Sequence, residues 1–384
     1  MEVKKSYEEI NEKIKKGEAM ILTAEEVKEM AKEQGIKETA KKVDVVTTAT
    51  FGPMCSSGAF INFGHSDPPI RMTRVWLNDV SAYAGLAAVD VYIGATEVSE
   101  MQENYGGAHI IEDLIAGKDI KLRAIGNGTD CYPRKEIETY INKDTLNECF
   151  LLNPRNAYQN YSAATNSTDK TIYTYMGILV PNFGNATYST TGELSPLLND
   201  PKLRTIGIGT RVFLGGAQGF VVWHGTQYNT TTPRSKNGIP IGPAANLCLV
   251  GDMKMMSSQF IRAAVFERYG ITLFVGVGIP IPLLDEDMAQ CLSIRDEDIK
   301  TTLCDFGRPG HPVIAQVNYR ELKSGRITAN GKSIKTGPLS SIYEARKIAR
   351  ILKQWIQDRE FSITEPVQRL PENSVFKNLK IRKE

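Results

Sequence analysis

Two of the six cysteines stand apart from the rest by their surroundings. Cys131 lies in the run Ala-Ile-Gly-Asn-Gly-Thr-Asp-Cys-Tyr-Pro-Arg-Lys-Glu (124–136), among glycine, polar residues and cations. Pro133 suits the first turn of a helix, where its missing N–H would be an orphan in any case. Ile137, Tyr140 and Ile141 then recur at helical spacing. A helix start with Arg134 and Lys135 beside it would draw the thiol toward thiolate. Cys55 lies in Met-Cys-Ser-Ser-Gly-Ala, just past the β-branched run 43–50, which predicts a strand. Phe51-Gly52-Pro53 is expected to turn between them. Loops at strand ends are where α/β proteins commonly hold their chemistry. Two loop thiols admit a persulfide or disulfide cycle, one nucleophile with a structural companion, or a metal site.

The remaining candidates sort by neighbourhood. Cys149, Cys248 and Cys291 sit among large apolar residues and read as small core hydrophobes, and Cys304 follows the same default. His65 and His109 lie in or near glycine turns and are the candidates for proton transfer, whereas His224 and His311 read as structural. No Cys-x-x-Cys or His-x-x-x-His spacing occurs, so no metal site is expected. Convergence of Cys55, Cys131, His65 and His109 in space would be the alternative. Gly207-Ile-Gly209 and Gly126-Asn-Gly128 each begin a dinucleotide fingerprint, but Val212 and Cys131 stand where the third glycine is required. The second of these turns could instead present backbone N–H groups to a Cys131 thiolate or persulfide.

Composition limits the classes. With 46 basic and 44 acidic residues the net charge is +2, which argues against a nucleic-acid partner. The basic end, 377–383, reads as a solvated tail. The start lacks an apolar signal segment, and the most apolar stretch, 271–284, contains Pro280 and Pro282 and is too short to span a bilayer. A cytoplasmic, thiol-reducing location follows as the expectation, with no membrane partner.

The elements that must position these thiols follow from local pattern. Ser6 with Glu9 and Thr23 with Glu26 are capping boxes for two helices, and Gly17 and Gly35 are their stops. Residues 121–125 and 271–279 predict strands, and the glycine-rich stretches 173–180 and 204–223 predict strands with tight bends. Asp252 is expected to cap a helix running to about Tyr269, stopped by Gly270. Asn330-Gly331 marks a type I′ hairpin. A last helix is expected from Ser341 with Glu344 completing a third capping box, burying Ala345, Ile348, Leu352 and Trp355. No 20- to 50-residue repeat and no low-complexity linker divides the chain. The expectation is an α/β fold: one large domain with a mixed sheet flanked by helices over 1–360, active-site loops at strand ends, and an extended tail over 361–384.

Four segments together resemble a known family. They are Phe-Gly-Pro-Met-Cys-Ser-Ser-Gly-Ala-Phe (51–60) continuing to Phe-Gly-His-Ser-Asp-Pro-Pro (63–69), Asn-Tyr-Gly-Gly-Ala-His-Ile (104–110), Gly-Asn-Gly-Thr-Asp-Cys-Tyr-Pro-Arg (126–134), and Gly-Thr-Arg-Val-Phe-Leu-Gly-Gly-Ala-Gln-Gly (209–219). The chain is similar along nearly its whole length to the homocysteine biosynthesis family, the aspartate semialdehyde sulfurtransferases of methanogens and other anaerobes. That resemblance implies reductive insertion of sulfur into aspartate 4-semialdehyde to give homocysteine, for methionine supply. It assigns the persulfide to Cys131 and a second functional role to Cys55, here that of resolving thiol. His65 or His109 would supply the acid for water loss, and Arg155 or Arg211 would hold the substrate carboxylate. Many relatives continue into CBS domains and some carry an iron–sulfur segment. Neither is expected here, so no cofactor is bound by the chain and the electrons would come from a separate ferredoxin-like iron–sulfur protein. The oligomeric state stays open, as do two other readings: a thiol-based carrier acting on another small aldehyde, and a Cys/His metal-binding assembly protein.

Overall fold

Ser6 and Thr23 open the chain's first two helices as their sequences dictate. In the computed structural model, which describes residues 3–382, Ser6 Oγ accepts from Glu9 N at 3.1 Å while the Glu9 carboxylate accepts from Ser6 N at 2.8 Å. The helix Tyr7–Lys16 then ends at Gly17, whose φ of 74° favours glycine. Thr23 and Glu26 repeat the box for Ala24–Gln34, which stops at Gly35.

These helices flank a ten-stranded mixed sheet, and the domain is the α/β type expected. Its strands run in the order Ile21–Thr23, Val45–Pro53, Gly270–Pro282, Arg211–Leu214, Ala217–His224, Leu247–Asp252, Glu148–Asn156, Gly58–Asn62 and Asp90–Gly94, with Ile261–Phe266 added on Gly270–Pro282. Only Ile21–Thr23 with Val45–Pro53 is a parallel pair. The last helix, Ile342–Gln357, lies on Val45–Pro53 and Gly270–Pro282 and buries Ala345, Ile348 and Leu352 completely, with Trp355 half-buried against Phe213. Cutting Leu352 to alanine there would cost about 2–5 kcal/mol. The other face packs on the helix Gly107–Ile115 and on a four-stranded sheet of Met72–Leu77, Val80–Ala82, Ile120–Gly126 and Glu136–Ile141. A six-stranded sheet that includes Ala163–Thr165, Asn185–Tyr188 and Lys332–Pro338 stands alongside. Its Asn330-Gly331 turn has the positive φ pair, 49° and 68°, that a type I′ hairpin needs.

Four expectations are corrected. Past Cys131 there is no helix: Glu136–Ile141 is a strand paired with Ile120–Gly126, because Ile137, Thr139 and Ile141 share one face of a β-branched segment and Ile141 fills the core. The helix expected from Asp252 is a single 3₁₀ turn, Met253–Met255, capped by Asp252 onto Lys254 N. The rest of that segment pairs as Ile261–Phe266 with Gly270–Pro282 and makes residues 267–269 a hairpin turn. Phe51-Gly52-Pro53 continues its strand, so the turn falls at 54–57. The third capping box is half formed, since Ser341 accepts from Glu344 N at 3.2 Å but a buried Glu344 carboxylate oxygen has no partner. The segment after the last helix is extended and docked as far as Leu370: Phe361, Ile363 and Leu370 are buried, and Gln368 bridges to Ile208. The final basic residue expected in the tail, Lys383, lies outside the described residues.

Candidate active site

Cys55 owes its position to the strands on either side. Val45–Pro53 ends against Phe274, Gly58–Asn62 begins against Leu152, and the loop 54–57 is drawn tight by Ser57, whose N–H and hydroxyl both donate to the Met54 carbonyl. The half-buried, free thiol faces a cavity of about 320 Å³ between the main sheet and the six-stranded one. Tyr158, Tyr161, Tyr175 and Tyr269 wall it, and the half-buried Arg155 is the single charged side chain in its lining.

Arg155 is held but not neutralised. Its Nε donates to Thr226 Oγ1 at 3.0 Å and its Nη1 to Gln227 Oε1 at 2.8 Å, and it also meets the Tyr158 hydroxyl. Neutral partners orient a guanidinium without using its charge, which leaves the fork for a carboxylate. Thr272 points to an occupant as well: it is 1% exposed, lines the cavity, and its hydroxyl has no partner. Tyr269 neighbours Cys55 on the cavity wall. Burial, and then the neighbouring Cys55, push the Tyr269 phenol up to about 12, so it remains a donor at neutral pH.

Cys131 occupies a different setting. Thr129 and Tyr132 exchange both backbone hydrogen bonds, at 2.9 and 3.0 Å, which puts Asp130 and Cys131 at the tip of a two-residue turn extending the Ile120–Gly126/Glu136–Ile141 hairpin. The thiol is exposed. Gly128, with φ of 70°, permits the bend, and a Cβ on Gly126 would stand 2.7 Å from the Arg71 carbonyl, so the hairpin base can approach that backbone only as glycine. Arg134 anchors the finger by donating Nε to the Pro68 carbonyl at 2.9 Å and Nη2 to the Asp67 carbonyl at 2.6 Å. No helix dipole acts on this sulfur.

The expected site residues therefore divide. His65, exposed, stacks on Tyr132 with ring centres 6.0 Å apart and belongs with Cys131, while Arg155 belongs with Cys55. His109 joins neither: its Nδ1 accepts from Gly106 N at 3.1 Å, capping its own helix, its ring stacks on Tyr105, and burial lowers its pKa. Arg211 lies between Phe220 and Phe361 and donates to Ser362 Oγ at 3.0 Å, away from the cavity. Cys55 precedes the first residue of Gly58–Asn62, whereas the loop gripping the Cys131 hairpin follows the last, so the strand separates the two thiols. Its rise alone is about 14 Å, twice the roughly 7 Å Cα separation a disulfide tolerates. Among the described residues no three His, Cys, Asp or Glu side chains converge as metal ligands do. Burial drives the Cys149 thiol up to about 12 and Cys291 to about 11, as core residues, whereas Cys248, expected in the core, is only half-buried on the outer face of its strand, with its thiol raised by that partial burial.

A family model described as "Homocysteine biosynthesis enzyme, sulfur-incorporation" matches residues 19–363. The chain belongs to that family. Within the homocysteine biosynthesis family, a protein of Methanocaldococcus jannaschii named L-aspartate semialdehyde sulfurtransferase is 52% identical over 96% of this chain and 74% of its own length. One of the same name from Methanosarcina acetivorans is 51% identical over 98% of this chain and 74% of its own. An uncharacterized protein of Methanothermobacter thermautotrophicus is 31% identical over 83% and 72% respectively. No solved structure matches the chain.

Sequence reasoning missed Tyr269, Thr272, Gln227 and the other tyrosines of the cavity. Tyr158 and Tyr161, three apart and close after Arg155, were the one local signal. Tyr269 was concealed by the helix expected across 252–269, since only the hairpin aims it at Cys55.

Proposed function

We propose that the chain is a reductive sulfurtransferase that inserts sulfur at the aldehyde carbon of aspartate 4-semialdehyde and yields homocysteine. The observation that carries this is Arg155, an uncompensated guanidinium in the same small cavity as a thiol. A four-carbon amino acid aldehyde fits those features. Its carboxylate takes the Arg155 fork, its ammonium lies against tyrosine faces and hydroxyls, and its carbonyl lies toward Cys55 and Tyr269. Two relatives more than half identical, both named for this reaction, support the substrate.

The exposed Cys131 suits acceptance of sulfur from a bulky donor. Its thiolate takes one sulfane sulfur from a polysulfide or protein persulfide, leaving the donor one sulfur shorter. The outer sulfur attacks the aldehyde carbon, and the carbonyl electron pair moves to oxygen, which takes a proton, with Tyr269 the donor in reach of that carbon. A thiol, Cys55 in this reading, then attacks the inner sulfur, forming a Cys55–Cys131 disulfide and freeing the thiol-bearing carbinol. Loss of water leaves a C=S bond. Two electrons and two protons reduce it to homocysteine, and two more of each return the disulfide to thiols. An external iron–sulfur electron carrier of the ferredoxin type supplies all four electrons.

The test is anaerobic turnover with polysulfide, a low-potential reductant and a panel of small aldehydes. Homocysteine from aspartate semialdehyde, with much slower turnover of aldehydes lacking the carboxylate, is the expected result. Equal rates across the panel would overturn the substrate assignment in favour of a general thiol-based sulfur carrier.

A further inference from the structure

The chemistry just proposed needs Cys131 and Cys55 in contact, and one chain holds them at opposite ends of Gly58–Asn62. The hairpin cannot fold back across that span, because Arg134 and the Ile70–Arg134 bridge pin its base to the loop beyond the far end.

The outer face of the sheet along that strand is largely apolar and is left partly open. Antiparallel sheets usually alternate apolar positions inside with polar ones outside. On Asp90–Gly94, Gly58–Asn62, Glu148–Asn156, Leu247–Asp252 and Ala217–His224, the outer side instead presents two largely apolar rows of facing partners: Tyr92, Phe60 and Phe150, which ends at Asp252, and beside it Leu152, Val250 and Phe220. The Ile342–Gln357 helix covers the outer side of the neighbouring strands but not this part, where Phe150 is 38%, Phe220 43% and Trp223 53% exposed. Those three aromatics alone leave about 300 Å² of side chain in water, the size of the largest patch on a typical monomer, and the apolar positions of the two rows together span about 19 Å across five strands. That is the centre of a standard protein interface, which covers about 800 Å² on each partner.

We infer that this face binds a second copy of the chain about a two-fold axis crossing Gly58–Asn62 at Phe60, and that the Cys131 hairpin of each copy enters the Cys55 cavity of the other. Phe60 is two residues from each end of its strand. A two-fold axis lying across the strand reverses its direction in the second copy and so exchanges the Cys55 end for the Cys131 end. Charge agrees with that exchange: Asp130 adjoins Cys131 at the tip, while Arg155 in the cavity and Arg268 beside Tyr269 have no carboxylate partner among the described residues. This inference rests on the two-thiol reading, but its physical consequences can be measured without turnover.

The full chain should have the mass of a dimer at micromolar concentration, and Phe150→Glu should make it monomeric with its fold retained, since Phe150 is a surface residue. Diamide oxidation followed by peptide mass spectrometry should find a Cys55–Cys131 bridge between chains of twice the single-chain mass. Neither Cys55→Ser nor Cys131→Ser should form that bridge alone, and the two variants co-expressed should. Co-expression should also recover about a quarter of wild-type turnover, because half of the dimers are mixed and each mixed dimer has one intact site of two. A monomeric wild type, a bridge within one chain, or no bridge in the co-expressed pair would overturn the inference. Full activity of either single variant would instead remove the two-thiol reading beneath it.

Discussion

Cys55 and Cys131 face different surroundings from opposite ends of one strand: Cys55 a tyrosine-walled cavity beside Arg155, Cys131 open solvent at a hairpin tip. That division matches two tasks that one thiol performs poorly, since a sulfur acceptor must be reached by a bulky donor and a substrate aldehyde must be held away from water. It also separates the residues by the kind of defect their loss should cause.

Arg155 should govern substrate affinity. Replacing it with methionine removes a charge-assisted, forked hydrogen bond worth about 1.5–3 kcal/mol, so KM for aspartate semialdehyde should rise about 10- to 100-fold. Arg155→Lys keeps the charge but not the fork and should fall between. Steady-state kinetics at saturating sulfur donor measures this, and an unchanged KM would remove Arg155 from the substrate site.

Tyr269→Phe should lower kcat about 100-fold or more with little change in KM, as expected when a proton donor is lost and packing is kept. With the phenol at about 12, the wild type should show no loss of this donor up to about pH 11. A Tyr269→Phe enzyme with normal kcat would move the acid to another tyrosine of the cavity.

Alkylation of the native protein should follow exposure. Cys131 should react first with iodoacetamide, and Cys149 and Cys291, held up at about 12 and 11 by burial, should remain unmodified until unfolding. Peptide mass spectrometry over a time course gives the order directly.

Lys28 makes a pH prediction outside the site. It is wholly buried, donating to Asn199 Oδ1 at 2.8 Å and the Leu292 carbonyl at 3.0 Å, and burial lowers its pKa from 10.5 to about 8. Below pH 8 both folded and unfolded chains carry the proton and the cost of burying the charge is constant. Between about pH 8 and 10.5 the unfolded chain keeps a proton that the folded one has released, so stability rises with pH, on the order of 3 kcal/mol in all. Urea midpoints from pH 7.5 to 10.5 should show this rise in the wild type relative to Lys28→Met, and parallel curves would contradict it.

Some local signals agree with the structure, and others, such as the turn expected at Phe51-Gly52-Pro53, give way to strand pairing. The capping residues Ser6 and Thr23, the strand leading to Cys55 and the Asn330-Gly331 hairpin depend on neighbours within a few positions. The 137–141 and 252–269 segments have apolar spacing that satisfies helix and strand alike, and pairing with Ile120–Gly126 and Gly270–Pro282 decides between them. The loop cysteines were legible from glycine and serine around them. The cavity was not, because Cys55, Arg155, Tyr269 and Ser340 come from four distant parts of the chain and meet only after two sheets pack.

The central claim, that Cys131 is the sulfur carrier, is tested most directly by exposing the anaerobic protein to polysulfide, alkylating it and weighing its cysteine peptides. The Cys131 peptide should gain one sulfur, and the gain should disappear on adding aspartate semialdehyde with reductant as homocysteine forms. A Cys131 peptide with no added sulfur, or a Cys131→Ser protein that makes homocysteine at the wild-type rate, would contradict it.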